Sequence, residues 1–111
     1  MPATPRPQIE RNDPRYRALI RRYRAEGAAA GLPCWLCGQP IDYRLRHRPG
    51  QPIPDGAFEA DHYRTWARHP EDRMNPGNLR PAHHRCNRAR SDKPPERARA
   101  TLALGTPSRD W

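Results

Sequence analysis

Apolar residues are scarce in this chain. Only 34% of its 111 residues are hydrophobic and 7% aromatic, with a single phenylalanine, well below the ~45–50% apolar content of an ordinary globular domain. Fifteen prolines and seven glycines interrupt the rest. A sizeable hydrophobic core is thereby excluded. One domain of this length must stay partly disordered or be held by a metal or by disulfides. No run of about 18 apolar residues occurs, which excludes a transmembrane helix. The opening MPATPRPQIER has no apolar h-region, so no secretory signal is expected. Lysine is nearly missing as well: Lys93 is the one lysine among 21 basic residues. Arg, Ala, Pro and Gly share GC-rich codons, which accounts for that bias.

Positive charge is what the chain has in excess. Twenty-one Lys and Arg against twelve Asp and Glu leave a net charge of +9 and a pI near 10.7. That is the electrostatic footprint of a nucleic-acid binder, with an anionic membrane surface as the weaker option. The three cysteines, Cys34, Cys37 and Cys86, are an odd number, and without a secretory signal a disulfide framework is not expected. Their spacing suggests a metal instead. Cys34-x-x-Cys37 is a zinc half-site, since two thiolates two residues apart chelate one tetrahedral ion. His83-x-x-Cys86 supplies a second pair at the same spacing; His84 does not keep it. The expected site is Cys₃His, closing a long loop, so that zinc-binding free energy is folding free energy.

Residues 1–11 read as a flexible, Pro-rich basic arm. Asn12 or Asp13 can cap a helix, with Pro14 in its first turn. Tyr16, Leu19, Ile20 and Tyr23 fall at i, i+3, i+4 and i+7, opposite Arg15, Arg17, Arg21, Arg22 and Arg24. This helix, within 12–31, is expected to fade through Gly27 and stop at Gly31-Leu32-Pro33. The basic face either solvates the helix or contacts phosphate. Residues 32–93 form the central domain: a tight turn at 34–38, a loop at 39–57, a short strand at 58–62, a long loop at 63–77, a second strand at 78–82 and a helix from His84 to about Arg90. The 94–111 tail has a short helix at 96–104.

The run CWLC … FEADH … NLRPAHHRCN resembles the HNH endonucleases, and most of all the small stand-alone versions of bacteriophages and their bacterial hosts. The resemblance covers about residues 31–93, with Asp61-His62, Asn78, Asn87 and the zinc pairs in order. It implies an α+β ββα-metal fold, zinc-stapled, with the N-terminal helix added. It further implies a DNA endonuclease that leaves 5′-phosphate and 3′-hydroxyl ends and acts in the cytoplasm, the host's if phage-encoded.

The residue chemistry agrees with that activity. Phosphodiester hydrolysis needs a nucleophilic water, a cation on the phosphorane and stabilisation of the leaving oxygen. His62 can take a proton near neutral pH. Asp61 and the Asn87 amide offer hard oxygens that suit Mg²⁺ or Mn²⁺, with Ni²⁺ or Co²⁺ as further options. The resemblance assigns His62 as general base, Asp61 and Asn87 as catalytic metal ligands, and Asn78 as the residue that braces the loop. With Asn at 87, the chain is an HNN variant.

Adjacent Asp61 and His62 would face opposite ways in a regular strand; the resemblance puts both on one phosphate and so implies that the strand ends or kinks there. Asn78 could instead be a turn residue and Asn87 a helix N-cap. Relatives often follow Asp-His with an apolar residue and proline, where this chain has Tyr63 through Pro70. His47 and His69 match no motif position and are expected to be solvated. His84 is expected to contact phosphate or cap the helix. Arg80, Arg85, Arg88, Arg90 and Lys93 are the expected DNA-backbone contacts. The rival readings are a zinc-stabilised DNA-binding module without catalysis and an accessory role in a phage packaging complex with the terminase as partner.

Overall fold

The computed structural model describes residues 9–98. Helix α1 spans Pro14–Ala30; strands β1 (Phe58–His62) and β2 (Leu79–His83) form an antiparallel pair; helix α2 spans His84–Arg90. The sheet register sets Asp61 opposite Arg80 and Ala60 opposite Pro81. Between the strands lie two short 3₁₀ turns, Pro70–Asp72 and Pro76–Asn78. This α+β arrangement follows the sequence expectation closely, with β2 shifted one residue onto His83. Among the described residues no helix is long and apolar enough to cross a membrane.

Helix α1 begins where its cap dictates. Asp13 accepts a hydrogen bond from the Arg15 N–H, and Pro14 sacrifices no helical donor in the first turn. The helix runs unbroken through Gly27, contrary to the expected fading there. Gly27 is buried, and an added Cβ would come within 3.0 Å of the Tyr43 hydroxyl. Packing against Tyr43 therefore uses the missing side chain. Gly31 ends the helix in the left-handed conformation at φ 64°, a geometry that glycine adopts without a Cβ penalty.

The apolar stripe of α1 docks on the sheet. Tyr16 is buried; Leu19, Ile20 and Tyr23 are half-buried. The Tyr23 hydroxyl donates to the Leu79 carbonyl at 3.1 Å, and its ring lies beside Phe58. Arg15, Arg17, Arg21 and Arg22 stay exposed. Arg24 departs from that face and donates to the Tyr43 and Leu45 carbonyls, tying the 39–57 loop to the helix. The core itself is small: Cys34, Leu36, Ile41, Phe58, Ala82, Cys86 and Ala98. Two of its members are cysteines, Cys34 and Cys86, which the sequence marked as candidate metal ligands.

Within the stretch expected to be an arm, the Ile9 carbonyl accepts from Arg73, and Arg11, itself exposed, lies over Trp66. Residues 95–98 are helical, while the rest of the 96–104 helix and residues 1–8 of the arm lie outside the described residues.

Candidate metal centre and candidate active site

Cys34, Cys37, His83 and Cys86 each bring a ligand atom within 4.8 Å of the others. This group could hold a metal ion. The turn at 34–38 is closed by Gly38 N–H donating to the Cys34 carbonyl at 2.8 Å, with Gly38 at φ 80°. The Trp35 N–H donates to the Pro81 carbonyl at 2.8 Å, which sets the turn against β2.

Two further features suit a metal. The Nε2 of His83 lies 2.9 Å from the Pro40 carbonyl. A carbonyl only accepts, so Nε2 carries the hydrogen and Nδ1 keeps its lone pair. That Nδ1 is 3.4 Å from the Cys37 sulfur and 3.8 Å from the Cys86 sulfur. Main-chain anchoring of the second ring nitrogen is the usual outer-shell support of a metal-binding histidine. Cys34 is held well below the ordinary thiol range, chiefly because the Cys86 thiol donates to it and also because backbone N–H groups of Cys37, His83 and Leu36 point at it; Cys86 is correspondingly pushed up by the same partner. A thiolate is thus favoured inside the cluster, as metal ligation requires.

The second site is an open pocket of about 240 Å³. Asp61, His62 and Asn87 all line it, although the first two are neighbours in β1. The strand ends at His62, which is what lets both side chains reach one cavity. Asn87 arrives from α2. It lies within that helix, whose N-cap is His83, so the capping alternative for Asn87 does not hold.

Each of these side chains is fixed. His62 Nε2 lies 3.1 Å from the Arg73 carbonyl, so again Nε2 carries the hydrogen and Nδ1 is the basic nitrogen. Burial depresses the His62 pKa, the Arg73 hydrogen bond opposes this, and the Arg11 charge adds to the depression. The imidazole is therefore neutral at pH 7. The Tyr16 and Trp66 rings hold it at centroid distances of 6.0 and 5.3 Å. Asn78 ties the two sides of the 63–77 loop together: Oδ1 accepts from the Arg64 N–H at 2.8 Å, and Nδ2 donates to the Arg64 and Asp72 carbonyls at 3.0 and 3.4 Å.

Asp61 Oδ2 accepts from Trp35 Nε1 at 2.9 Å and from Arg90 Nη1 at 2.7 Å. Burial raises the Asp61 carboxyl above its ordinary value despite the pull of Arg90 and Trp35. Both contacts fall on Oδ2. Asn87 gives its amide N–H to Glu59 Oε1 at 2.9 Å, which leaves its carbonyl oxygen as the other polar atom. Asp61 Oδ1 and the Asn87 oxygen are hard donors, of the chemical kind that divalent cations take.

Several expectations need correction. Arg90 is not a surface contact for DNA. It is 0% exposed, and its guanidinium donates to Asp61 and to the His62 and Tyr63 carbonyls. A buried guanidinium with five donors fits this role where a lysine would not. Lys93 donates to the Ala89 and Arg90 carbonyls, and Arg80 to those of Gly77 and Leu79 while lying over the Tyr63 ring. Arg85 and Arg88 remain exposed. His84 is buried and pairs with Glu59 at 2.6 Å, so it neither caps α2 nor faces solvent. His69 is half-buried against Glu71 and Arg64, whereas His47 is exposed as expected.

Trp35, Glu59 and Trp66 were invisible as site residues in the sequence, and Arg90 was expected there in another role. They act by holding other side chains, and no spacing rule marks such partners. No family model matches the chain, and neither does any curated protein or solved structure. A functional reading rests on these residues and their geometry alone.

Proposed function

We propose that this chain is a zinc-stapled, divalent-metal-dependent DNA endonuclease of the HNH type. The observation that carries the reading is His62: a neutral imidazole with its tautomer set by the Arg73 carbonyl, in one pocket with Asp61 and Asn87. A group so held is ready to take a proton from water. The net charge of +9 supports a polyanionic substrate.

Zn²⁺ is the ion that suits the Cys₃His cluster, since three thiolates and one imidazole in a closed, buried group match a structural zinc site. Asp61 and Asn87 would hold the catalytic ion, Mg²⁺ or Mn²⁺. When bound, that ion supplies Lewis-acid stabilisation of charge on the phosphorane and the leaving oxygen. His62 Nδ1 accepts the proton of the attacking water. Arg73 and Asn78 keep the imidazole aimed, the first through its carbonyl and the second by pinning the loop that carries it. Arg90 and Trp35 fix Asp61, and Glu59 fixes Asn87. Exposed Arg85 and Arg88 are the contacts for flanking phosphates.

The test is nicking of supercoiled plasmid with a panel of divalent metals. Wild type is expected to nick with Mg²⁺ or Mn²⁺. His62→Ala should keep its zinc and its DNA affinity but cleave ~10²–10⁴-fold more slowly, the usual worth of a general base. Zinc-loaded, folded protein that binds DNA but fails to cleave it with every metal of the panel would leave the non-catalytic binding module as the correct reading.

A further inference from the structure

The pocket holds two groups that none of the roles above uses. One is Arg11. It lines the cavity with Asp61, His62 and Asn87, yet it comes from the segment before α1, outside the stretch that resembles the HNH family. Its guanidinium lies 4.2 Å from the centroid of the Trp66 ring, a stacking that holds the plane while leaving its N–H edge available. Among the described residues it has no hydrogen-bond or ion-pair partner. Arg73, stacked on the same ring at 4.3 Å, is by contrast committed to the Trp66 and Ile9 carbonyls.

The other group is Thr65. It also lines the pocket and is 6% exposed. Its Oγ1 is the one buried side-chain oxygen or nitrogen without a partner among the described residues. A buried hydroxyl left unpaired carries a desolvation cost, and it signals a partner that arrives from outside the fold. Arg11 and Thr65 both line the cavity that His62 lines; a guanidinium edge and a threonine hydroxyl that turns toward the cavity are donors suited to the oxygens of a phosphodiester.

We propose that Arg11 and Thr65 form the phosphate-oxygen subsite of this pocket, holding the scissile phosphodiester against His62. This rests on the nuclease reading above, and it makes the N-terminal segment part of the active site. Arg11 contributes most as the phosphorane gains charge, so its effect falls on turnover more than on DNA affinity.

The experiment has two arms on the zinc-loaded full chain. In the first, inorganic phosphate is titrated and followed by NMR. Perturbation of the Thr65 amide and the Arg11 Nε–H is expected in wild type, and loss of the Thr65 response in Arg11→Ala. No perturbation at either residue overturns the proposal, whatever the cleavage result. In the second, plasmid cleavage at saturating DNA should fall about 10²-fold in Arg11→Ala, the scale of a lost preorganised donor. Added guanidinium at non-denaturing concentration should restore part of it. DNA affinity, measured in the His62→Ala background, should change only a few-fold, since one exposed charge is lost among many.

Thr65→Val should cleave about tenfold more slowly, the worth of one hydrogen bond, with an unchanged or higher melting temperature because an orphan hydroxyl is removed. A lower melting temperature would show the hydroxyl to be satisfied within the fold and overturn its part. Wild-type rates in both variants overturn the subsite while leaving the nuclease reading intact. A wild type that cleaves nothing overturns the nuclease reading, and the phosphate arm then decides the subsite by itself.

Discussion

His83 and His62 are held by the same device and are left in different surroundings. In each, Nε2 points at a main-chain carbonyl, Pro40 at 2.9 Å and Arg73 at 3.1 Å. In each, that contact fixes the hydrogen on Nε2 and leaves Nδ1 basic. The His83 nitrogen then meets the Cys37 and Cys86 sulfurs in a closed cluster. The His62 ring borders an open pocket shared with Asp61, Asn87, Arg11 and Thr65. One imidazole is enclosed by candidate metal ligands; the other borders an open cavity. The hydrogen bond prepares the nitrogen, and the surroundings decide its use.

The sharpest way to break this comparison is to remove a ligand of the closed cluster. Cys34→Ser or Cys86→Ser should unfold the chain, as should a strong chelator on wild type, because the small apolar core cannot hold the fold alone. Circular dichroism with parallel zinc analysis checks this. An unchanged spectrum in protein shown to lack zinc would make the cluster dispensable.

A smaller but still large effect is expected at Arg90, on the open side. Arg90→Met removes the partner of a buried carboxylate and should cost about 3–5 kcal/mol, measured by urea denaturation. Zinc content should be retained in the fraction that stays folded. A loss below ~1 kcal/mol, the range of an exposed pair, would mean that Asp61 is well solvated in solution.

Asn87 sharpens the open site further without touching the fold. Asn87→Ala should keep stability and zinc but need much more Mg²⁺ for the same cleavage rate. Asn87→His offers an imidazole in place of an amide oxygen, so its preference should shift toward Ni²⁺ or Co²⁺. If Asn87→Ala cleaves at the wild-type Mg²⁺ concentration, position 87 is a scaffold residue.

The smallest expected effect is on pH dependence. The folded state depresses the His62 pKa, so below about 6.5, the ordinary histidine value, the unfolded chain binds more protons at this position than the folded one. Stability from this residue is therefore intact above that value and lost as pH falls through it toward the depressed folded pKa. Urea midpoints of wild type should drop more steeply from pH 7.5 to 6 than those of His62→Gln. Parallel slopes would place His62 in a solvated setting.

Much of the arrangement was legible in the sequence. The Asp13 cap, Pro14 and Gly31 set the ends of α1 through local backbone chemistry. The CxxC and HxxC pairs announced the cluster because chelation imposes its own spacing. Asp61, His62 and Asn87 stood out as a set through the resemblance to the HNH endonucleases, which also implied that β1 ends or kinks at His62. Gly27 misled because its signal, a poor helix former, was overridden by Tyr43 packing into the space it leaves. Arg90 misled for a related reason: an arginine in a basic run reads as solvated until a buried carboxylate is found beside it.

The sequence by itself thus determined whatever depends on neighbours along the chain: the caps, the chelating pairs and the excess positive charge. Only the tertiary structure decided what depends on neighbours across it. It buried Arg90 against Asp61, set Glu59 between His84 and Asn87, aimed the Arg73 carbonyl at His62, and brought Arg11 over Trp66 beside an unpartnered Thr65 hydroxyl. Those contacts join residues far apart in sequence, and neither residue type nor spacing encodes them. They exist because a chain closed by a four-ligand cluster, with little apolar surface to bury, satisfies its interior with hydrogen bonds and ion pairs instead.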